Sequence, residues 1–149
     1  MIRKAGMEDL AVLAALACKL WPDHTVDEMC AEFSEIIAMP DAAFFLAYQG
    51  KCAIGFAQCQ LRHDYVEGTD SSPVGYLEGI YVAEAYRKQG VARELLDACE
   101  GWAKEKGCTE FASDCELDNV QSLQFHLNVG FTDQTGSFAL QRSCKELIL

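Results

Sequence analysis

The chain has 149 residues, half of them apolar, and its 23 acidic against 12 basic residues give a formal net charge of -11. This length predicts one domain with a buried core. The negative charge argues against nucleic acid or an anionic membrane as a partner and is compatible with a cationic one. No apolar run approaches a membrane span, and residues 1–10 lack the apolar region of a signal peptide. We therefore expect a cytoplasmic protein.

Eight cysteines are many for a chain of this length. They include no Cys-x-x-Cys pair and no Cys/His cluster at the spacing of a zinc site, and we predict no bound metal. Several lie in apolar surroundings, where a cysteine behaves as a small hydrophobic residue. Together with the missing signal region, this pattern predicts reduced thiols.

Apolar periodicity, capping signals and turn residues predict the elements in chain order. Thr25 and Glu28 form a capping box ahead of a helix, and Gly50-Lys51 between two apolar runs predicts a hairpin. Gly107 is a suitable stop for a long amphipathic helix. The predicted elements are strand 1–5, helix 10–20, helix 26–37, strands 42–49 and 52–63, loop 64–73, strand 74–82, helix 89–106, strand 109–114, helix 119–129, and closing strands 130–134 and 137–143.

The order of these elements predicts the fold class. Strands and helices alternate, and the chain has no internal repeat, low-complexity segment or linker. We therefore expect a single α/β domain over residues 1–149.

The turn after the strand at 74–82 has the features of an anion-binding site. Arg87 and Lys88 place two cations at the start of a helix, where unpaired N–H groups already disfavour positive charge. The strand, a tight turn with Gly90 and the helix direct N–H groups and the helix dipole at whatever the turn holds. The pattern is neither a Walker loop nor the Gly-x-Gly-x-x-Gly of a dinucleotide fold. For an isolated Arg-x-x-Gly, a basic surface turn without a ligand is the commoner explanation.

The residues around this turn and in one later segment resemble the GNAT superfamily of acyl-CoA N-acyltransferases. The first signature of that family is Gln or Arg, two residues, Gly, one residue, then Gly or Ala. The resemblance implies an α/β fold with a mixed, mostly antiparallel central sheet, flanked by helices and splayed between strands four and five. Gly79 inside strand four suits the bulge at such a splay. The matching positions are Arg87-x-x-Gly90-x-Ala92, Asn119-x-x-Ser122 and Gly130-Phe131.

The resemblance also implies acetyl-CoA as co-substrate and no metal. Its pyrophosphate is expected on the backbone N–H groups of the turn and the first helical turn, and its pantetheine arm along strand four. The implied cofactor-binding residues are Ile80, Tyr81, Val82, Arg87, Lys88, Gln89, Gly90, Val91, Ala92, Arg93 and Asn119.

A narrower set of positions resembles the bacterial aminoglycoside 6′-N-acetyltransferases. The matching segments are WPDH (residues 21–24), RHDYVEGTDSSPV (62–74), LEGIYV (77–82) and FASD with Asn119. In that group an aromatic residue, a loop tyrosine and acids on strands four and five line the drug pocket. The resemblance implies a cationic small-molecule acceptor, an aminoglycoside, and a homodimer in the bacterial cytoplasm. The implied substrate-binding residues are Trp21, Tyr65, Glu78 and Asp114.

Each of these four residues also has a purely structural interpretation. Trp21 can cover the core, Tyr65 can be an ordinary loop aromatic, and either acid can be a cap or a salt-bridge partner. Glu78 lies inside an apolar strand, however, where an unpaired carboxylate is costly to bury, so it should face a cleft or a partner. Asp114 closes a strand at the end where open α/β sheets place ligands. We predict that Glu78 is the catalytic base for direct acetyl transfer without an acyl-enzyme.

Two positions depart from the families that the chain resembles. His126 stands where many superfamily members have a tyrosine acid, so either this histidine or solvent protonates the thiolate. Residues 132–135 replace an acidic segment, and only Asp133 there is acidic. Two alternatives remain: an acetyltransferase for another amine (a polyamine, a small metabolite or a protein N-terminus), or an acetyl-CoA-binding module without activity.

Overall fold

The computed structural model describes residues 1–64, 69–114, 132–133 and 139–143. These residues form seven strands and three α-helices, with short 3-10 turns at Met7–Asp9 and Glu84–Tyr86. None of the helices in these ranges combines the length and apolar composition needed to cross a bilayer. The elements are β1 (Ile2–Lys4), α1 (Leu10–Leu20), α2 (Val26–Ile37), β2 (Ala42–Gln49), β3 (Cys52–Arg62), β4 (Val74–Val82), α3 (Val91–Glu105), β5 (Glu110–Asp114), β6 (Thr132–Asp133) and β7 (Ala139–Ser143).

The strands form one sheet in the order β1-β2-β3-β4-β5-β7-β6. β4 runs parallel to β5, with Leu77 opposite Ser113, whereas β1–β2, β5–β7 and β6–β7 pair antiparallel. Within the described residues the register between β4 and β5 ends at this pair, although β4 continues to Val82. The sheet is therefore mixed and mostly antiparallel, as predicted, and the splay between strands four and five stays a prediction.

Helices α1 and α3 lie on opposite sides of β3. A Cβ atom built on Gly55 would lie 3.4 Å from Leu95 of α3. The ring of the next residue, Phe56, instead makes a T-shaped contact with Trp21 at the end of α1, at 6.2 Å between centroids. Because neighbouring residues of a strand point to opposite faces, the two helices occupy different faces of this strand.

Two glycines of β4 let neighbouring side chains lie against the strand backbone. A Cβ atom built on Gly75 would lie 2.7 Å from Ala103 of α3, and one built on Gly79 would lie 2.6 Å from Trp21. The bulge expected at Gly79 stays a prediction.

The chain divides into two compact units, and the predicted single domain stays a prediction. The first unit contains Met1–Cys59 and Glu78–Cys99. Its core is formed by apolar side chains of α1, α2, β2 and β3, and each large side chain buried there stabilises the fold by about 1.5–3 kcal/mol. Val26, the first residue of α2, is exposed. The fully or almost fully buried members include Leu13, Ala14, Ala17, Met29, Phe33, Phe44, Leu46 and Phe56.

The predicted capping box begins α2. The Thr25 hydroxyl accepts a hydrogen bond from the Glu28 N–H at 3.2 Å, and the Glu28 carboxylate accepts one from the Thr25 N–H at 3.1 Å. These bonds satisfy two backbone donors that a helix start would leave unpaired.

A buried carboxylate fixes the start of the first unit. Asp9 accepts hydrogen bonds from both Nη atoms of Arg3, at 2.7 and 2.9 Å, and from the Gly6 N–H at 2.9 Å. The Arg3 guanidinium holds the pKa of Asp9 below its usual range, because each of these bonds favours the charged carboxylate. The charge of Asp9 is therefore part of the fold.

The second unit contains Gln60–Leu77 and Glu100–Leu149. Val74, Tyr76 and Ala112 form its small described core, and the Arg62 guanidinium lies 3.6 Å from the centroid of the Tyr76 ring. This distance is that of a cation–π contact.

The six cysteines in the described ranges form no disulfide. Cys59, Cys99 and Cys108 are buried among apolar side chains, and burial raises the pKa of the Cys108 thiol. Cys52 is exposed. Cys115 and Cys144 lie outside the described residues.

Candidate active site

The turn between β4 and α3 has two residues in the left-handed backbone region. Lys88 has a φ of 63° and Gly90 a φ of 86°, values that L-residues with a side chain rarely adopt. The Gly90 carbonyl accepts a hydrogen bond from the Glu94 N–H at 3.0 Å, so Gly90 is the N-cap of α3. α3 therefore begins at Val91, two residues later than predicted from the sequence.

The N-cap of α3 is a glycine, so the cap residue itself has no side chain to accept the N–H groups of the first turn. The leading N–H groups of an α-helix have no partner within the helix, and here the cap has no oxygen-bearing side chain to accept them. Val91 and Ala92 are partly buried, and Arg93 is exposed. The start of α3 can therefore receive an anion through backbone N–H groups and the helix dipole.

The side chain of Arg87 points back to β4. Its Nε atom donates a hydrogen bond to the Val82 carbonyl at 2.7 Å, and its guanidinium carbon lies 5.7 Å from the centroid of the Tyr81 ring. The sequence predicts instead that this side chain faces a ligand's charge. The Nε–H of Arg87 is already hydrogen-bonded to the strand. The assignment of Arg87 to cofactor binding stays a prediction.

The end of β4 is held closely by β3. The Ala83 N–H donates to the Ile54 carbonyl at 2.7 Å. A Cβ atom built on Gly55 would lie only 2.6 Å from the Tyr81 carbonyl oxygen, so the two backbones approach to a distance that only glycine permits. This packing fixes the backbone at Ile80, Tyr81 and Val82.

Trp21 packs on the same strand. A Cβ atom on Gly79 would lie 2.6 Å and 2.8 Å from two carbons of the Trp21 indole, so the ring rests directly on the glycine backbone. Trp21 is also partly buried against the core of the first unit. The structural interpretation of Trp21 is thus supported, and its partly exposed ring remains a candidate for ligand contact.

The two predicted acids follow paired residues of neighbouring strands. Glu78 is partly buried and comes directly after Leu77 in β4, and Asp114 comes directly after Ser113 in β5. Leu77 and Ser113 are partners in the parallel register, and the Ser113 hydroxyl contacts the Leu77 carbonyl at 3.4 Å. The roles of both acids stay predictions.

The remaining predicted positions are not described by the structure. The side chain of Asp114 lies outside the described residues, as does that of Asp133 in β6. Tyr65, Asn119 and the helix expected at 119–129, which includes His126, also lie outside them, as does Thr135. In the described ranges, no three His, Cys, Asp or Glu side chains are grouped as metal ligands would be.

Glu110 anchors the loop that precedes β4, a role that the sequence did not indicate. Its carboxylate accepts hydrogen bonds from the Asp70 N–H, at 2.8 Å, and from the Ser71 hydroxyl. The Ser72 hydroxyl donates to the His63 carbonyl at 3.0 Å. The residues on either side of 65–68 are thereby fixed, but a lone glutamate at a strand start gives no sequence signal for such a role.

Comparisons with known proteins agree on one family. Residues 8–131 match the model of the acetyltransferase (GNAT) family. An aminoglycoside N(6')-acetyltransferase type 1 of Salmonella enteritidis is 39% identical over 143 residues, which cover 96% of this chain and 99% of the relative. A protein of the same name from Stenotrophomonas maltophilia is 43% identical over 137 residues, 89% of this chain and 86% of the relative.

Solved structures give the same result. The aminoglycoside acetyltransferase AAC(6')-Iy, in complex with the bisubstrate analogue CoA-S-monomethyl-acetylneamine, superposes with a TM-score of 0.86 at 41% identity, covering 90% of this chain and 91% of the other. AAC(6')-IG of Acinetobacter haemolyticus without ligand has a TM-score of 0.86 at 41% identity, covering 90% and 92%.

Proposed function

Because the chain belongs to the acetyltransferase (GNAT) family, we propose that it transfers the acetyl group of acetyl-CoA directly to the 6′-amine of an aminoglycoside. The observation that carries the proposal is identity of about 40% over most of the chain with relatives named for that reaction. A structural neighbour at 41% identity is in complex with the bisubstrate analogue CoA-S-monomethyl-acetylneamine. Acetyl-CoA is the co-substrate.

The turn before α3 receives the pyrophosphate of acetyl-CoA. The oxygens of the pyrophosphate accept hydrogen bonds from backbone N–H groups between Lys88 and Arg93, where the helix dipole also favours negative charge. The left-handed backbone at Lys88 and Gly90 supports this assignment, because such turns expose consecutive N–H groups on one side. The pantetheine arm lies along residues 80–82, and Asn119 completes the site.

The reaction is a direct transfer between the two bound substrates. The 6′-amine nitrogen attacks the thioester carbon, and the tetrahedral intermediate collapses as the C–S bond breaks and the CoA thiolate leaves. A backbone N–H of residues 80–82 stabilises the oxyanion, worth about 3 kcal/mol in other acyl transfers. Glu78 accepts the amine proton directly or through water, and His126 or solvent protonates the thiolate. Correct positioning of the two substrates supplies much of the remaining rate.

The acceptor binds through its ammonium groups. Glu78 and Asp114 supply carboxylates, and a partly desolvated carboxylate holds an ammonium group more strongly than an exposed one does. The pairing of Leu77 with Ser113 supports this arrangement, since each acid follows one member of that pair. Trp21 and Tyr65 supply aromatic walls against the sugar rings.

Two substitutions test the acceptor site. Asp114→Asn should raise the acceptor KM with little change in kcat, because its contact is equally present before and during transfer. Glu78→Gln should also lower kcat, and the loss should shrink as pH rises, because more of the amine is then already deprotonated. Initial rates between pH 6 and 9 measure both effects.

A matched control and the folded fraction decide the outcome. Asp97→Asn removes one exposed acid from α3 and should leave both parameters unchanged. Neither Asp114→Asn nor Glu78→Gln should alter acetyl-CoA affinity. Wild-type activity per folded molecule in both variants would contradict the assigned roles of Glu78 and Asp114. Free-thiol release from acetyl-CoA is then measured with a panel of aminoglycosides, polyamines and peptides. Release with aminoglycosides supports the proposed function, release only with another amine supports a different acceptor, and no release supports a module without activity.

We also propose that the protein is a homodimer in the bacterial cytoplasm. β6 is the last strand of the described sheet and has two residues, so its outer edge can accept a second chain. Light scattering at micromolar concentration should give twice the chain mass of 16.5 kDa. A single-chain mass under those conditions would contradict the dimer.

A further inference from the structure

The side chain of Arg87 joins two parts of the proposed acetyl-CoA site. The residue lies in the turn before α3, and its Nε–H bond reaches back to the carbonyl of Val82, the last residue of β4. At 2.7 Å this is a short, charge-assisted hydrogen bond. Its guanidinium also lies over the Tyr81 ring, within cation–π distance.

The backbone between these points forms a single 3-10 turn, Glu84–Tyr86. In it the Tyr86 N–H donates to the Ala83 carbonyl at 2.9 Å and the Arg87 N–H to the Glu84 carbonyl at 3.3 Å, and neither bond reaches β4. The next residues carry the two left-handed conformations of the turn. The bond from the Arg87 side chain does reach the strand, and at 2.7 Å it is shorter than either of these backbone bonds.

The strand end to which Arg87 is linked is itself rigid. Gly55 lets the β3 backbone approach the Tyr81 carbonyl closely, and the Tyr81 side chain packs against the core of the first unit. Because this strand end is held in place, the hydrogen bond from Arg87 to Val82 restricts where the turn can lie.

We propose that Arg87 is a positioning residue: it sets the distance between the turn that receives the pyrophosphate and the strand that receives the pantetheine arm and the thioester. It does so through the hydrogen bond that its Nε–H donates to the strand and not through an ion pair with the pyrophosphate. This inference rests on the proposed function, because it takes the turn and residues 80–82 as one acetyl-CoA site.

The atom that makes the bond gives a sharp test. Nε of arginine and Nε2 of glutamine lie the same number of bonds from Cα, so Arg87→Gln keeps a donor in position and loses the charge. Lysine has its nitrogen one atom further out, so Arg87→Lys keeps the charge and misplaces the donor. Arg87→Ala removes both. Lys104→Gln, at the exposed far end of α3, controls for the loss of one positive charge.

Two measurements compare the Arg87 variants with the wild type. Calorimetry at two salt concentrations gives the acetyl-CoA affinity, and initial rates below the melting temperature give kcat per folded molecule. Loss of one charge-assisted hydrogen bond predicts about tenfold weaker affinity and lower kcat in Arg87→Ala and Arg87→Lys. Arg87→Gln should stay within about threefold of the wild type, since a neutral donor forms a weaker bond. Its salt dependence of affinity should match the wild type, because the proposal involves no ion pair with the pyrophosphate.

Three results would overturn the proposal. The first is an Arg87→Lys variant that keeps wild-type acetyl-CoA affinity and kcat while Arg87→Gln loses them. The second is an equal loss of affinity and kcat in all three variants. The third is a loss of affinity and kcat that only follows the loss of folded protein. The calorimetric ranking needs no acceptor. A wild type that binds acetyl-CoA but does not acetylate aminoglycosides would therefore count against the proposed function alone.

Discussion

Gly55 lies where β3 crosses the end of β4, and its missing side chain sets the distance between two backbones. The atom that a Cβ would approach to 2.6 Å is a carbonyl oxygen, which cannot rotate away as a flexible side chain can. Gly101 offers a contrast, because it lies exposed within α3 and a Cβ there meets no atom within 4 Å.

We predict opposite stability changes for the same substitution at these two glycines. Gly55→Ala should lower the free energy of unfolding by about 1–3 kcal/mol, the usual cost of overpacking. Gly101→Ala should raise it by about 0.5–1 kcal/mol, because alanine is the better helix former. Urea unfolding of the two variants beside the wild type measures both. A Gly55→Ala protein as stable as the wild type would show that the two backbones separate without cost.

Asp9 makes stability depend on pH. Its folded pKa is lowered by Arg3, so its carboxylate stabilises the fold above the unfolded pKa of about 4, and this contribution is lost as pH falls through the folded pKa. Asp9→Asn should therefore lower the melting temperature by several degrees at pH 7. The difference from the wild type should narrow below about pH 4. A difference that stays constant from pH 7 to pH 3 would contradict a role for the charge.

At the scale of elements, the two ends of α3 carry glycines in similar left-handed conformations, which glycine adopts without strain. Gly90 has a φ of 86° and Gly107 a φ of 94°, and a Cβ at either meets no atom within 4 Å. A side chain fits at both positions, at a backbone cost of about 1–2 kcal/mol. Only the first glycine borders the proposed pyrophosphate site.

We predict that Gly90→Asp weakens acetyl-CoA binding at least about tenfold, because its carboxylate repels the pyrophosphate. Gly107→Asp is the matched control and should bind acetyl-CoA normally. It should lose at least as much stability, since a carboxylate is unfavourable at a helix C-terminus and favourable at an N-terminus. Calorimetry with acetyl-CoA and thermal melts separate the two effects. Equal affinity in both variants would remove the turn from the cofactor site.

Most elements could be predicted because their signals are local. The capping box at Thr25, the hairpin glycine at position 50 and the apolar run of β4 each fix a boundary within a few residues, and the structure confirms them. The start of α3 was wrong by two residues because Lys88 and Gly90 adopt left-handed conformations that delay the helix. Charge and composition at that turn do not distinguish the last loop residue from the first helical one.

The side-chain contacts of the site could not be predicted, because they join residues distant in sequence. Trp21 rests on Gly79, and Glu110 holds Asp70, across separations that no periodic pattern encodes. The direction of Arg87 depends on how a 3-10 turn places it beside Val82. The family signature accepts Gln or Arg at this position, and both place a nitrogen donor three bonds beyond Cβ.

At the scale of the whole molecule, charge separates the two proposed ligands. The net charge of -11 attracts a polycationic acceptor. In the proposed site, the anionic cofactor accepts hydrogen bonds from backbone N–H groups at one basic turn, where the net charge of the whole chain matters less. This division matches a reaction between an anionic donor and a cationic acceptor on one small protein.

A pair of matched aminoglycosides tests whether the protein acetylates a 6′-amine. One carries an amine at the 6′ position and the other a hydroxyl in its place. With purified protein and acetyl-CoA, the first should release one free thiol for each acetyl group that NMR locates on the 6′ nitrogen, and the second should release none above background. Equal thiol release from both compounds, or acetylation at another nitrogen of the first, would contradict the account.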